Sequence, residues 1–473
     1  MLEYLRVKKC DLYHNNMGGE MSVKEKDLEN VKVVRDSGEL FSIDGKPAFL
    51  EALPLAFQHI VAMFVGNVAP ILIISRVTKL DPSITTILIQ CAMLSAAIAT
   101  FLQIYPIKLF GGLRVGSKLP VVMGTSFGFL PTVLAILSGN SLNLPTLFGA
   151  QIVGGVASIL IGAYLKKIRK YFPPLVAGTV VFSIGLSLFP IGINYMAGGV
   201  GSPTYGSYQN WAISLVVLAT VLFFNQFTKG ITKLSSILIG IIVGYIISMA
   251  LGIVNFTPVK EAAWFAFPKF FIFGAPKFEV GSMVAMVIMY LVTAIQAVGD
   301  LSAITLGGVN REVSDKELSG GVIGNGVGAI FSAVLNSFPT ATYSQNVGLV
   351  VLTKVVSRYV IGIAATVLLI AGFVPKFGAI INTIPSAVIG GGTITVFSMI
   401  TMTGIQIISK SGITGRTMVI VGLSVAVGAG IGQVPQSIAQ FPQFVKLIFG
   451  SSVVMSTLLA LLLNIILPKE ENR

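Results

Sequence analysis

The feature that most constrains this chain is the recurrence of long apolar runs from Leu53 to Leu467. Each run is about 17 to 25 residues long, which is the length that an α-helix needs to cross a bilayer. Hydrophobic residues make up 54% of the 473 positions and charged residues only 11%, far from the composition of a soluble globular domain. The sequence therefore predicts an all-α polytopic membrane protein of about 14 spans with no separate soluble domain.

The basic residues are distributed unevenly, and their positions matter more than the formal net charge of +13. Of 32 Lys and Arg residues, 8 precede Glu51, 17 fall in one set of alternate loops and 7 in the other. Because cytoplasmic loops carry the excess of positive charge, we expect the first set and both termini to lie in the cytoplasm. The positive charge is therefore explained by membrane topology and not by a nucleic acid partner. The cluster from Lys166 to Lys170 has the same explanation.

The two halves of the chain echo each other. The sequence at 177–184 resembles the one at 391–398, and each half has a short, Gly-interrupted segment in third place, at 120–131 and 343–353. Since seven spans is an odd number, the second half would enter the membrane from the opposite side, which predicts an inverted repeat with the substrate site where the broken helices meet. The predicted organisation is an N-terminal tail at 1–49, a first repeat at 50–253, an extracellular loop at 254–278, a second repeat at 279–467 and a C-terminus at 468–473.

Polar side chains that are expensive inside a membrane concentrate in residues 296–358. Gln296 and Asp300 lie four positions apart and share one helix face, and Gln345 and Asn346 open the second broken segment. A carboxamide donates and accepts hydrogen bonds in one plane, which suits the N–H and C=O edge of a cyclic amide or imide. Phe127, in the first broken segment, offers an aromatic face to a flat ring.

Ionisable groups inside the predicted spans are few. His59 and Asp300 are the candidates if a proton is relayed within the membrane. The alternatives are a neutral His59 imidazole bonded to a neighbouring span, a structural or gate contact for Asp300, and simple core packing for Phe127. The two cysteines, Cys10 and Cys91, have no metal-ligand spacing, and no catalytic triad or phosphate loop is evident, so we expect neither a cofactor nor an enzyme.

The segment 345–354, read from Gln345-Asn346-Val347-Gly348 to Thr353-Lys354, leads to a resemblance. Over about residues 50 to 467 the chain resembles the nucleobase-ascorbate transporter family, also called nucleobase-cation symporter-2. The family motif is Gln/Glu/Pro-Asn-x-Gly, four residues, Thr and then Arg/Lys/Gly. Gln345 at the first position is typical of the xanthine and uric acid branch, because uracil carriers tend to have Glu there. Support comes from Gln58-His59, Gly124-Thr125-Ser126-Phe127 and Gly299-Asp300.

The resemblance implies fourteen spans in two inverted seven-span repeats, divided into a core domain and a gate domain, often as a homodimer. Spans 3 and 10 would contain short extended segments, with the substrate between them and span 8. By position, Gln345 and Asn346 would hold the base and Ser126 and Phe127 would line its other side. His59 and Asp300 would support the site or its coupling.

Two positions depart from the pattern of many relatives. Gln296 stands where they have a Glu that binds the base and joins in proton coupling, and Asn325 stands between two glycines where they have Asp or Glu. Gln296 can still bind a base but cannot take up a proton at physiological pH. We therefore expect coupling to H⁺ to be carried by Asp300 and His59, with Asn325 supporting the site and uncoupled facilitated diffusion as the alternative.

The sequence thus predicts a secondary-active permease that imports xanthine or uric acid by an elevator-like movement of core against gate. Its expected partners are the purine, H⁺ and the lipid bilayer. A uracil carrier and a sulfate-permease-like anion carrier are the other candidates. The carboxamide pair and the short stretch after Leu467, which we expect to leave no C-terminal regulatory domain, favour the nucleobase function.

Overall fold

A computed structural model of the chain describes residues 37–108, 112–137, 144–168 and 173–468. The chain divides into two compact units, Met1–Gly38 and Glu39–Arg473. Most of the predicted N-terminal tail and of the predicted C-terminus therefore lies outside the described residues, as do Arg169 and Lys170 of the basic cluster. Apart from the short helix Ser37–Phe41, which begins in the smaller unit, the elements below belong to the larger unit.

The helices of the first half follow the apolar runs. Proline at the first helical position starts two of them, at Pro82 and Pro174, where its missing N–H is not needed. The main helices are α1 (Phe49–Val77), α2 (Pro82–Ile104), α3 (Leu130–Leu137), α4 (Leu144–Ala163), α5 (Pro174–Met196), α6 (Tyr208–Phe227) and α7 (Ser236–Ala250).

The second half repeats this series. Its main helices are α8 (Val280–Ala303), α9 (Asp315–Val334), α10 (Ser344–Thr353), α11 (Arg358–Gly372), α12 (Ser386–Lys410), α13 (Gly415–Gln433) and α14 (Ser452–Ile466). The α8 helix continues as a π-helix over Ile304–Val309, and a capping box between Ser314 and Glu317 starts α9. Short helices lie at Ser37–Phe41, Phe127–Phe129, Leu165–Ile168, Ile231–Leu234, Thr257–Glu261, Pro375–Asn382, Pro435–Ile438 and Gln443–Phe449.

Eight helices in the described part of the chain are long and apolar enough to cross a bilayer, namely α1, α2, α4, α5, α6, α8 with its π-helical extension, α12 and α13. The prediction of an all-α polytopic membrane protein is confirmed, while the count of about 14 spans stays a prediction. Helix α12 begins at Ser386, after the short helix Pro375–Asn382, which is bent by 84° from α11.

Each helix of the first half has a counterpart in the second half, numbered seven higher. A contact between two helices recurs between their two counterparts. The α4 helix packs on α9 as α11 packs on α2, and α6 packs on α12 as α13 packs on α5. This exchange is the mark of two repeats related by a pseudo-two-fold axis, as the predicted inverted repeat requires. Helices α1–α4 and α8–α11 form the core domain, and α5–α7 and α12–α14 form the gate domain.

The gate domain is centred on the α5–α12 pair, whose backbones approach closely. A Cβ atom on Gly185 would lie 2.6 Å from the backbone nitrogen of Thr401, and one on Gly404 would lie 2.3 Å from that of Phe182. Glycine is required at both positions because small residues allow membrane helices to pack without intervening side chains.

Short strands lie within the predicted broken segment 120–131 and directly before the predicted broken segment 343–353, of which 344–353 forms the continuous helix α10. Four strands occur in the described residues, β1 (Ile107–Lys108), β2 (Arg114–Val115), β3 (Met123–Thr125) and β4 (Thr340–Thr342), and β1 pairs with β2. The β3 strand pairs antiparallel with β4, with Met123 opposite Thr342 and Thr125 opposite Thr340. The extended segments expected in spans 3 and 10 are thus confirmed, and they are bonded to each other.

Contacts of charged residues near the helix ends identify the two ends of the helix bundle. At one end, the basic end, Asp44 forms ion pairs with Lys118 and Arg358. At the other, the Arg76 end, Arg76 donates hydrogen bonds to Ser386 Oγ and to Ile384 O. The basic residues named here fall on the ends that the alternate-loop sorting predicts, while the assignment of the basic end to the cytoplasm stays a prediction.

The loop at 254–278 packs against the core domain. Lys277 N donates to Pro145 O at 2.9 Å, and Asn336 Nδ2 donates to Lys269 O at 2.8 Å. Trp264 is 76% exposed, and the Lys376 ammonium lies 4.9 Å from the centroid of its ring. The loop also contains a short helix, Thr257–Glu261.

Candidate functional site

A cavity of about 780 Å³ lies between the core and gate domains. Most of its polar lining comes from the core domain. The polar residues of this part are Thr125, Ser126, Gln296, Asp300, Thr342, Ser344 and Gln345. The facing wall comes from α5 and α12 of the gate domain and is mostly apolar, with Val176, Val180, Ile184, Met399, Ile400 and Ile407. A ligand in this cavity would therefore find its hydrogen-bond partners mainly on the core side.

Side chains of α1 and of the second broken span hold β3 beside the cavity. Asn67 Oδ1 accepts a hydrogen bond from Thr125 N at 2.8 Å, and the Tyr343 hydroxyl donates to Thr125 O at 2.5 Å. The Tyr343 ring fills the space beside two glycines, where a Cβ on Gly66 would come within 2.6 Å of the ring and one on Gly124 within 2.5 Å. The two extended segments are therefore fixed to each other and to α1.

Gln296 and Asp300 lie on one face of α8, as their spacing predicts. Gln296 Nε2 donates to Thr342 O at 3.4 Å. The Asp300 carboxylate accepts hydrogen bonds from Thr342 Oγ1 at 2.5 Å and from Ser344 Oγ at 2.8 Å. Both residues thus line the cavity while they tie α8 to β4 and to the start of α10.

Gln345 lies in the first turn of α10 and is exposed to the cavity. Its carboxamide makes no hydrogen bond within the described part of the chain. The two N–H donors and the carbonyl acceptor of this side chain are therefore available to a ligand.

Asn346 points away from the cavity. Its side chain is 1% exposed, and Nδ2 donates to His59 O at 2.9 Å and lies 3.1 Å from His59 Nδ1. Neither Asn346 nor His59 lines the cavity. The geometry does not support direct contact of Asn346 with a ligand; it ties α10 to α1 instead and matches the alternative of a His59 imidazole bonded to a neighbouring span.

Asn325 also lies away from the cavity, buried at the crossing of α9 and α2. Its Oδ1 accepts a hydrogen bond from Gln103 Nε2 at 3.1 Å, and Gln103 Nε2 also donates to Gly321 O at 2.8 Å. The structure therefore places Asn325 among contacts internal to the core domain, where it could support the site only through the packing of α2 and α9.

Ser126 and Phe127 begin the helical part of the first broken span. Ser126 Oγ accepts a hydrogen bond from Gly128 N at 3.1 Å and caps this turn. The Phe127 ring lines the cavity and packs edge-on against Phe397 of α12, with ring centroids 5.2 Å apart. Phe127 is therefore both a cavity residue and a packing contact between core and gate, so the two interpretations from the sequence apply together.

Sequence reasoning missed the residues that position the site. Thr342, Tyr343 and Ser344 form the turn between β4 and α10, and Asn67 lies on α1. The available signal was that four of the five side chains from Thr340 to Ser344 carry a hydroxyl, directly ahead of the carboxamides in a chain that is mostly hydrocarbon.

The cavity reaches the basic end. Its lining includes Leu165, Pro173 and Lys410, which lie at the ends of helices joined by basic loops. At the Arg76 end the domains are bonded together, since the Tyr195 hydroxyl donates to Ile73 O at 2.9 Å and Arg76 Nη1 donates to Ser386 Oγ at 2.8 Å. Among the described residues no cluster of three or more His, Cys, Asp or Glu side chains is placed to hold a metal ion.

A family model and several curated relatives match this chain over most of its length. The family model Xan_ur_permease, described as a permease family, matches residues 50–437. The xanthine permease of Bacillus subtilis (strain 168) is 34% identical over 420 residues, covering 88% of this chain and 94% of that protein. The uric acid permease PucJ of the same organism is 33% identical over 427 residues, covering 89% and 93%. The xanthine permease XanQ of Escherichia coli (strain K12) is 32% identical over 449 residues, covering 92% and 95%.

Two solved structures share the fold. The murine Solute Carrier 26 family member A9 anion transporter in the inward-facing state has a TM-score of 0.62 at 12% identity, with 98% of this chain and 74% of that chain covered. The transmembrane domain of the cyanobacterium bicarbonate transporter BicA has a TM-score of 0.56 at 15% identity, with 89% and 100% covered. At these identities the likeness shows the fold alone.

Proposed function

The chain belongs to the nucleobase-ascorbate transporter family, and from this membership we propose that it is a permease importing a purine nucleobase, xanthine or uric acid. The family and the relatives named above are permeases, so the chain is a multi-pass membrane transporter and not an enzyme. The substrate follows from the names of those relatives together with the chemistry of the cavity.

The observation that carries the proposal is the free Gln345 carboxamide facing a cavity with one polar and one apolar wall. Oxidised purines are flat and have alternating ring N–H and C=O groups at their edges. A carboxamide matches such an edge with one donor and one acceptor, while Phe127 and the aliphatic side chains of α5 and α12 cover apolar ring faces. The cavity volume of about 780 Å³ lies in the usual range for small-molecule sites.

Gln296 and Asp300 complete the proposed binding face. Gln296 presents a second carboxamide from α8, and the Asp300 carboxylate keeps both hydroxyls of the turn at Thr342 and Ser344 directed toward it. In this arrangement Gln345 and Gln296 contact the base, Ser126 and Phe127 line its other side, and Asn346 with His59 holds α10 in place.

Transport in this proposal occurs by an elevator-like movement of the core domain against the gate domain. The polar half of the cavity belongs to the core domain and the gate wall is mostly apolar. A base bound to the core domain therefore moves with it without losing its hydrogen bonds. The cavity reaches the basic end while the contacts of Arg76 and Tyr195 close the other. With the basic end in the cytoplasm, as the charge bias favours, this is an inward-facing conformation.

Coupling to H⁺ is proposed through Asp300, with His59 in support. Asp300 is the one acidic group that lines the cavity in the described residues, and an ionisable group inside a membrane is a candidate for a proton relay. Gln296 cannot serve because a carboxamide does not titrate. An uncoupled facilitator remains the alternative mechanism, and a homodimer in the plasma membrane with both termini in the cytoplasm completes the proposal from the family resemblance.

The test is uptake of radiolabelled xanthine and uric acid by cells that lack their own purine permeases. We expect uptake that unlabelled xanthine and uric acid compete for and that uracil, sulfate and bicarbonate do not. Collapse of the proton gradient with an ionophore should abolish accumulation if transport is coupled, and should leave equilibration intact if it is not. Competition by uracil or by sulfate would instead favour the uracil carrier or the anion carrier.

A further inference from the structure

The segment Leu40–Lys46, which we name the N-terminal clasp, is bonded to the chain that follows α10. Leu40 O accepts hydrogen bonds from Val356 N at 3.0 Å and from Ser357 N at 3.2 Å. Ile43 O accepts one from Arg358 N at 3.1 Å. The clasp therefore extends the core domain by a piece of chain that precedes the first membrane helix, and its backbone follows the stretch 356–358.

The Asp44 carboxylate of the clasp makes two ion pairs. One oxygen lies 2.8 Å from Lys118 Nζ, and the other contacts the Arg358 guanidinium. The hydrogen bond from Lys118, with a further contribution from Arg358, keeps the pKa of Asp44 below its ordinary value although partial burial opposes it. The group is thus charged at neutral pH, and Arg358 also donates to Ile104 O and lies over the Tyr105 ring.

The two cations flank the two broken spans that form the site. Lys118 lies in the loop that leads into β3, and it adopts φ = +66°, a left-handed conformation that is unfavourable for a residue with a side chain. Arg358 begins α11, directly after the turn that ends α10. One carboxylate therefore bridges the entrance to the first broken span and the exit from the second.

We propose that Asp44 is a positioning residue for the transport site, because it fixes the separation of the two broken spans. The second of these leads into α10, which carries Gln345, and its strand bonds to Asp300 of α8. This inference rests on the proposed function. Asp44 and Lys118 are 57% and 43% exposed, and exposed ion pairs contribute little to overall stability. The effect of the clasp is therefore expected in the geometry of the site and not in the stability of the fold.

The decisive variant is Asp44→Asn, which keeps the size of the side chain and removes its charge. We expect purified protein to bind xanthine about five-fold more weakly, with KM for uptake raised by a similar factor and the maximal rate nearly unchanged, as the loss of roughly 1 kcal/mol implies. Asp44→Glu should restore most of the affinity. The matched control is Asp315→Asn, which removes an exposed ion pair to Lys166 (2.5 Å) and should leave both constants unchanged.

A second measurement does not depend on a ligand. Hydrogen exchange followed by mass spectrometry should show faster exchange in Asp44→Asn at residues 116–125 and 354–358, and unchanged exchange in the gate helices. If Asp44→Asn does not reach the membrane, Lys118→Gln, which removes one of the two ion pairs, is measured in the same way. Unchanged exchange in these segments, or unchanged xanthine affinity, overturns the inference. If the native protein binds no purine but Asp44→Asn still shows faster exchange, the proposed substrate is wrong and the positioning role of Asp44 is still supported.

Discussion

The hydroxyl of Thr342 donates a 2.5 Å hydrogen bond to the carboxylate of Asp300. The bond joins the end of β4 to α8, and Ser344 Oγ donates to the other carboxylate oxygen from the far side of Tyr343. Asp300 forms no ion pair within the described residues, so these neutral donors are what hold the charge in place. The orientation of the turn ahead of Gln345 therefore depends on a group that is itself a candidate for proton coupling.

We expect Thr342→Val to lower purine uptake about ten-fold. Valine keeps the shape of threonine but leaves a buried carboxylate oxygen without its donor, which costs roughly 1 to 3 kcal/mol, and 1.4 kcal/mol corresponds to a factor of ten. The measurement is initial uptake rate normalised to the amount of protein in the membrane. Thr340→Val is the matched control, because Thr340 lies two residues earlier on the same strand and its hydroxyl has no partner in the described structure. Equal losses in the two variants would assign the effect to packing of β4.

Gln345→Ala should abolish uptake while the protein remains in the membrane. The side chain faces the cavity and makes no hydrogen bond within the described part of the protein. Its removal should therefore take away a ligand contact without disturbing the fold. Binding of labelled xanthine to purified protein measures the effect directly. Gln433→Ala, an exposed glutamine at the end of α13, should bind as the native protein does, and normal binding by Gln345→Ala would remove the binding proposal.

Asn346→Ala should also abolish uptake, but through His59. Asn346 bonds the His59 backbone and approaches its ring, so we expect Asn346→Ala and His59→Ala to be non-additive in a double-mutant cycle, with a coupling of about 0.5 to 3 kcal/mol. Binding affinity for xanthine in the four proteins gives the cycle. Additive losses would mean that the two residues act independently and that Asn346 reaches the ligand in another conformation.

The orientation of Asn346 shows what the sequence could and could not predict. Neighbouring residues on a helix do not share a face, so Gln345 and Asn346 cannot both point into the cavity once α10 is helical. The same rule correctly placed Gln296 and Asp300 together. The first interrupted span was predictable from its glycines and prolines, because these residues disfavour a continuous helix. In the second, Gly348 lies inside the continuous helix α10, and the strand Thr340–Thr342 precedes the predicted segment.

The pairing of β3 with β4 was not predictable from local pattern. The paired residues, such as Met123 and Thr342, are separated by more than 200 positions, and a three-residue strand has no useful period. The side chains that hold the pair, Asn67 and Tyr343, likewise act across distant elements. The fold class therefore followed from hydropathy, whereas the strand pairing and hydrogen bonds of the site could be found only in the three-dimensional structure.

Tyr195→Phe should make the cavity open more often at the Arg76 end. The tyrosine hydroxyl bonds the carbonyl of Ile73 across the domain boundary, and loss of a hydrogen bond worth about 1 kcal/mol shifts a two-state equilibrium roughly five-fold. A cysteine placed at Thr403 of the cavity wall, in a background with Cys10→Ser and Cys91→Ala, reports opening through labelling by a membrane-impermeant maleimide.

The control for this shift is Tyr245→Phe. Its hydroxyl also makes a short bond near the same end, 2.6 Å to Thr383 Oγ1, but this partner lies in the segment that leads into α12 and not in α1. We expect the labelling rate from the Arg76 side to rise in Tyr195→Phe alone. The same rate in both variants and in the parent would show that the Tyr195 contact plays no part in closing that end.

Gln296→Glu tests whether the neutral carboxamide limits proton coupling. The position lines the cavity one helical turn from Asp300, and a carboxylate there can take up a proton whereas a carboxamide cannot. If Asp300 alone couples transport, the native protein should accumulate xanthine against its gradient and the variant should do so with a steeper dependence on external pH, faster at low pH. If the native protein only equilibrates xanthine, the variant should gain accumulation that an ionophore abolishes. Uptake into proteoliposomes with and without an imposed pH gradient separates these cases. Gln296→Met controls for loss of the amide. A Gln296→Glu variant that transports with the native pH dependence would show that coupling does not pass through this face of α8.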